Sequence, residues 1–311
     1  METLLWLYIY FVAFIAGLCA GSFMNVLIYR LPRGIGTVKG RSFCPACGHK
    51  LAPSDLVPVF SYIFLGGRCR YCKAPISPRY MAVELLNALL WVAYAHKFMF
   101  YPLTMLAHFV FGSALVCIIF IDAEHMLIFD RFNIAIALSG VAIAADKLIH
   151  EYLDPHAHLH NHFPFPQDVS ITERLIGAVC VSGLFLLLAI ISRGRWIGEG
   201  DIKLTAAAGL VLGWKNMLGV LFLASLAGSV ISLVLLGIAK RRKPARVGGD
   251  NDGAGDAASP KEAGGGQEYA ADEEAPAGHA VPFGPYLAGA MIVMSFFGTE
   301  IIDFYLKLCG F

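Results

Sequence analysis

Two groups of residues in this 311-residue chain have the types and spacing that chemistry needs. The first is Cys44-Pro-Ala-Cys47 with Cys69-Arg-Tyr-Cys72, two Cys-x-x-Cys knuckles separated by 21 residues. Four thiolates at such spacing can close a tetrahedron around one Zn²⁺, and with no open position left the ion would be structural. Two disulfides, a redox pair and unpaired structural cysteines are the alternatives. The second group is acidic: Asp122 in Phe120-Ile-Asp-Ala-Glu-His-Met-Leu-Ile-Phe-Asp130, and Asp201 in Gly198-Glu-Gly-Asp201-Ile-Lys203. Each sits at the edge of an apolar stretch. A carboxylate at a membrane boundary is costly unless it faces water or protein, which makes such acids functional candidates. Two close carboxylates share a proton, so one activates water as base while the other polarises a carbonyl as acid. The bland alternative makes Asp201 an N-cap and Asp122 a solvated helix end.

The elements that must position these groups are apolar helices. Hydrophobic residues make up 57% of the chain and charged ones 15%, where about 25% charged is usual for soluble proteins. So apolar a chain must hide most of its surface in lipid. Residues 3–29 carry no Asp, Glu, Lys or Arg, a run longer than the roughly 20 residues that cross a bilayer. No basic residue precedes it, so it reads as a retained first helix rather than a cleaved signal. Similar runs cover 98–121, 175–192, 216–239 and 275–299, with weaker ones at 80–100, 131–149 and 201–214. The expectation is an all-α polytopic membrane protein of about eight transmembrane helices with a small cytosolic zinc-ribbon-like cysteine loop.

With the N-terminus outside, 19 of the 24 Lys and Arg fall in the cytosolic loops, as the positive-inside rule requires. Both acids then lie at the cytosolic edge, and the reducing cytosol disfavours disulfides in the cysteine loop. The expected divisions are a first transmembrane helix over 1–29, a cytosolic four-cysteine loop over 30–79, a membrane core over 80–239, a linker over 240–280 and a last helix over 281–311. Gly, Ala, Asp, Glu and Pro dominate 244–280, a composition that cannot offset its ordering entropy and predicts disorder. His150, His156, His158, His160 and His162 punctuate an outer loop that reads as solvated, with adventitious metal binding as the alternative. Cys19, Cys117, Cys180 and Cys309 fall in or beside apolar spans and read as packing residues. A net charge of +1 gives no basic footprint for nucleic acid. Membrane lipid is the expected surrounding partner.

In order along the chain come Gly21-Ser-Phe-Met-Asn25-Val-Leu-Ile-Tyr-Arg-Leu-Pro32, the paired Cys-x-x-Cys, Ile76-Ser-Pro-Arg-Tyr80 followed by Glu84, the Asp122 segment, Gly198-Glu-Gly-Asp201 and Pro282-Phe-Gly-Pro-Tyr286. This ordered set resembles the bacterial type IV prepilin peptidases, the prepilin leader peptidases/N-methyltransferases. The resemblance implies an inner-membrane aspartyl endopeptidase that removes the short basic leader of prepilins or type II secretion pseudopilins at its cytosolic face. It implies that Asp122 and Asp201 are the catalytic pair. Many members of the family then methylate the new N-terminal amine with S-adenosylmethionine, an activity that the resemblance places on the first cytosolic loop. There Gly67-Arg68 matches a Gly-basic pair of the family and becomes the candidate cofactor contact. A tight turn feeding Cys69 into its knuckle explains Gly66-Gly67 equally well.

One departure from the family pattern is Phe129 before Asp130, where Pro is common. Asp130 then reads as the N-cap of the fourth span, Glu124 and His125 as groups that tune Asp122, and Lys203 as a snorkelling side chain. Asn25 and Glu84 are expected to brace the cysteine loop, with cofactor contact as the alternative. Competing functions are a proton-coupled transporter, whose coupling acids belong nearer the bilayer midplane, and a zinc-ribbon assembly scaffold, which would leave the acids without purpose.

Overall fold

The computed structural model describes residues 2–37, 40–153, 169–241 and 282–308. The sequence stretches 244–280 and 156–162, expected to be a disordered linker and a His-rich outer loop, lie outside the described residues, as does Cys309. The helices are α1 (Glu2–Arg30), the short α2 (Phe60–Phe64), α3 (Arg79–Phe98), α4 (Pro102–His125), α5 (Asp130–Leu153), α6 (Ile171–Ser192), α7 (Glu199–Arg241) and α8 (Gly284–Leu308). Among the described residues the only β pairing is two isolated bridges in the cysteine loop. All of these helices except α2 and α3 are long and apolar enough to cross a membrane, six in all. The chain is a multi-pass membrane protein. Leu175, Val179, Leu186 and Ile190 of α6 are exposed, as side chains facing lipid would be.

Several helix ends differ from the charge-free runs for a definable reason. The run 98–121 spans Pro102, whose fixed φ and missing N–H suit the first turn of a helix but not its interior. α4 accordingly starts there and extends four residues further, to His125. In the same way α8 begins at Gly284-Pro285 and runs to Leu308, not over 275–299. The sixth and seventh spans form one element, α7, interrupted at Gly213 with φ 76° and ψ 168°. Such backbone is open essentially to glycine alone. Counting the two arms of α7 separately, with α3, gives the eight long segments expected.

Cations hold the broken helices. Arg174 of α6, 2% exposed, donates from Nη1 to the carbonyls of Leu210 (2.9 Å) and Val211 (2.7 Å) just before the break. α8 is interrupted at Phe297, and Lys97 Nζ reaches the carbonyls of Ser295 (3.0 Å) and Phe296 (2.6 Å) just before it. Carbonyls at the end of a helical arm carry the negative end of its dipole, so a cation there repairs both the hydrogen-bond deficit and the charge.

The N-terminal half rests on a close α1–α3 contact. A Cβ on Gly17 would stand 2.7 Å from Ala88 Cα, and one on Gly21 2.7 Å from Glu84 Cα. This Gly-x-x-x-Gly pair lets the two backbones meet, and Asn87 Nδ2 seals the contact by donating to Gly17 O at 2.8 Å. α3 continues the packing onto α4 through the stacked rings of Trp91 and Phe109, 4.3 Å apart. The chain falls into two compact units, Met1–Gly228 with Pro282–Phe311, and Ser229–Val281. Both candidate sites belong wholly to the first.

Candidate active site

The cysteine loop is built from two copies of one turn. In the first knuckle Gly48 N–H donates to Cys44 O and Cys44 N–H to His49 O; in the second Lys73 N–H donates to Cys69 O and Cys69 N–H to Ala74 O. The Sγ atoms of Cys44, Cys47, Cys69 and Cys72 all lie within 4.8 Å of one another, and those of Cys44 and Cys72 are 4.0 Å apart. A tetrahedral Zn²⁺ with Zn–S near 2.3 Å requires S–S separations of about 3.8 Å, so the donor set fits a metal ion. The backbone N–H groups of Cys72 and Tyr71 hold the Cys69 thiol down to about 7, whereas burial and hydrogen bonds to the neighbouring thiols push Cys72 up to about 11. Gly66 and Gly67, with φ of 59° and 66°, form the turn that feeds Cys69 into its knuckle.

Of the two residues expected to brace this loop, Glu84 on α3 does so directly, whereas Asn25 ties α1 to the start of α3. Val59 N–H donates to Glu84 Oε2 at 2.8 Å, and Asn25 Nδ2 donates to Tyr80 O at 2.9 Å. Within the loop, Asp55 binds Arg70 Nε (2.6 Å), Tyr71 Oη (3.2 Å) and Ala52 N–H (3.1 Å). Burial pushes the Asp55 carboxyl up, but these three partners outweigh it and hold it below the usual carboxylate value. Between the loop, α1 and the start of α3 lies a cavity of about 760 Å³, a size typical of small-molecule sites. Arg30, Arg33, Asp55, Arg70, Arg79, Glu84 and Glu124 bring charge to its wall. Gly67 and Arg68 do not line it. They act at one remove, through the bridge of Arg68 to Pro75 and the bond from Ile76 N–H to Gly67 O, which set the cavity-lining Pro75 and Ile76.

The two acids, 79 residues apart in sequence, come together elsewhere in the same unit. Asp122, 6% exposed, sits on the last turn of α4, which ends where Met126 turns left-handed and its N–H bonds Asp122 O. Its carboxylate accepts from the backbone N–H of Gly284, the first residue of α8. Asp201 stands in the first turn of α7, within electrostatic reach of Asp122. Its Oδ1 is buried and has no hydrogen-bond partner among the described residues. Both carboxylates thus meet the positive end of a helix, which offsets part of the cost of charge at a membrane edge.

The glycines around the pair serve packing. A Cβ on Gly284 would stand 2.5 Å from Asp122 Oδ2, and one on Gly200 2.8 Å from Ile128 Cβ. The close approach that Gly200 permits is therefore to the α4–α5 turn. Lys203, expected to snorkel, instead bridges Glu199 at 2.7 Å and Asp130 at 3.2 Å, and Asp130 opens the first turn of α5. Glu124 forms an ion pair with Arg79, across from Asp122 on the same helical turn.

The residues that carry these motifs are matched by two family models. Residues 15–98 match the bacterial peptidase A24 N-terminal domain, and residues 109–233 match the type IV leader peptidase family. A prepilin leader peptidase/N-methyltransferase of Myxococcus xanthus is 34% identical over 248 residues, covering 78% of this chain and 68% of that protein. The chain belongs to the type IV leader peptidase family. Proteins of the same name from Aeromonas hydrophila (30% identical, 97% of this chain and 94% of theirs) and Pseudomonas aeruginosa (28%, 95% and 92%) align over nearly the full length. No solved structure matches the chain.

Two features of these sites escape a reading of the sequence, the Arg79–Glu124 ion pair and the Asp55–Arg70–Tyr71 cluster, as does the Arg174 cap in the fold. Each joins residues on different segments, so no local spacing marks it.

Proposed function

We propose that this chain is an aspartyl endopeptidase of the bacterial inner membrane that removes the leader of prepilins or type II secretion pseudopilins at its cytosolic face. The observation that carries the reading is the meeting of Asp122 and Asp201 at the N-termini of α8 and α7. One carboxylate, ionised, takes a proton from water as it attacks the scissile carbonyl. The other, neutral, donates a proton to the carbonyl oxygen; the tetrahedral species then collapses with a proton passing to the leaving amine. Packing of Gly200 and Gly284 against this turn holds the pair in register, and the two helix dipoles steady the single negative charge that the pair shares.

The reading extends to N-methylation of the newly exposed amine. The cavity beside the cysteine loop is the proposed site for S-adenosylmethionine, which when bound supplies an electrophilic methyl group; Gly67 and Arg68 support it through the turn they form. Cys44, Cys47, Cys69 and Cys72 would hold a structural Zn²⁺ that keeps the loop folded over that cavity. Arg30 and Glu84 fix the cavity wall from the membrane side. Prepilins, lipid and no nucleic acid complete the expected partners. The experiment is incubation of purified full-length protein with a model prepilin and S-adenosylmethionine, followed by mass spectrometry. Leader loss and a methyl increment are expected, and an unchanged prepilin would refute the reading.

A further inference from the structure

The cavity beside the cysteine loop is lined by three carboxylates, and only one of them has an oxygen to spare. Asp55, whose side chain is 3% exposed, already accepts from Arg70, Tyr71 and Ala52. Glu84 is buried and accepts from Val59 N–H, Ser22 and Asn25. Glu124 differs on both counts. Its side chain is 41% exposed, Oε1 pairs with Arg79, and Oε2 has His125 Nε2 at 3.9 Å, beyond hydrogen-bond distance. The same residue lies two positions after Asp122 on the last turn of α4. Two residues rotate a helix by about 200°, so Asp122 and Glu124 face opposite sides of a cylinder about 10 Å across. One turn of α4 therefore divides the acid pair from the cavity and places a carboxylate on each side.

We infer that Glu124 is the group that receives the α-ammonium of the cleaved pilin in this cavity. The inference rests on the proposed function and deepens its second reaction. Cleavage leaves a primary amine at the acid pair, and the end of α4 at His125 gives that amine a short path around the helix terminus to Glu124. There the ammonium meets an exposed carboxylate, a charge-assisted contact that carries it to the cavity wall. Methyl transfer follows once the ammonium proton has left to water. The nitrogen lone pair forms the new N–C bond, the C–S bond of S-adenosylmethionine breaks with its electron pair passing to sulfur, S-adenosylhomocysteine departs, and the second amine proton is lost to solvent. Glu124 binds and aims the amine; it does not take part in the bond exchange.

The test uses full-length enzyme in nanodiscs and two peptides corresponding to a pre-cleaved pilin N-terminus, one with a free and one with an acetylated α-amine. Affinities are measured with S-adenosylhomocysteine present, so that no turnover occurs, and methyl transfer to the free-amine peptide is measured separately with S-adenosylmethionine. In the wild type the acetylated peptide should bind at least about tenfold more weakly, the size expected of a charge-assisted contact. Glu124→Gln should bind the two peptides equally, with KM for methyl transfer raised about tenfold, while Glu124→Asp keeps most of the discrimination. A Glu124→Gln protein that still discriminates like the wild type overturns the inference. Should that variant fail to fold, pH decides on the wild type alone. Binding of the free-amine peptide should weaken as pH rises through about 8, the α-amino range, while the acetylated peptide stays indifferent; parallel profiles overturn the inference. A wild type that cleaves prepilin yet methylates no pre-cleaved pilin refutes the methyl-transfer reading itself, and the role of Glu124 with it.

Discussion

Asp122 is held by a contact that tolerates no added atom. Gly284 stands where a Cβ would press to within 2.5 Å of Asp122 Oδ2 and 3.0 Å of its carboxyl carbon. Gly284→Ala must therefore displace the carboxylate, and a misplacement of about 1 Å in a reacting group costs about 100-fold in rate. Leader cleavage by Gly284→Ala should fall by about that factor, while methyl transfer to a pre-cleaved pilin stays near wild type, both read by mass spectrometry of the products. Equal loss of both reactions would show a general folding defect instead. Asp122, Asp201 and the four cysteines were legible in the sequence because their residue types are expensive or reactive where they stand. The Gly284 contact was not, since its motif marks a turn and a helix start but names no partner. Arg79 and Glu124 were hidden in the same way, being 45 residues apart on helices whose adjacency no pattern encodes.

At the scale of elements, the cysteine loop and the acid pair stand on different supports. The loop hangs from α1 through Arg30, which donates to Gly36 O and Arg41 O, and from α3 through Glu84, whereas the acids sit on α4 and α7 with α8 behind them. Cys69→Ser, or prolonged chelation, should remove about one zinc per chain and open the two knuckles. Methyl transfer should then be lost, and cleavage should fall far less. Elemental analysis together with assays of both reactions measures this. Full metal content in the Cys69→Ser protein, or equal loss of the two activities, would contradict it. Helix existence was readable from charge-free runs, and helix ends were read less well. An absence of charge says where lipid is tolerated, whereas Pro102 and Pro285 say where a helix can start. The break at Gly213 was readable only as a short gap between two runs, because what stabilises it is Arg174, on another helix.

For the whole molecule the charge distribution predicts an orientation that contact geometry alone does not. With 19 of 24 basic residues assigned to one side, the positive-inside rule predicts that the cysteine loop, the end of α4 and the start of α7 face the cytosol. Reporter fusions after Gly255 should read cytosolic and fusions near His158 external. The reverse pattern would overturn the orientation and with it the proposed site of leader cleavage. This orientation also brings the acid pair to the membrane surface that a basic leader would occupy before its removal.

Two carboxylates from distant segments are expected to act as one proton-sharing unit at that surface. An amide can neither give up nor carry the shared proton, so Asp122→Asn and Asp201→Asn should each abolish leader cleavage, and the double variant should be hardly worse than either single one. Asp130→Asn, which removes an exposed ion pair with Lys203 and a charge from the first turn of α5, should lose little. The direct measurement is mass spectrometry of a prepilin incubated with each purified variant. Intact prepilin with both Asp→Asn proteins and cleaved pilin with Asp130→Asn are expected; cleavage at a near wild-type rate by either Asp122→Asn or Asp201→Asn would show that the two carboxylates are not a catalytic pair.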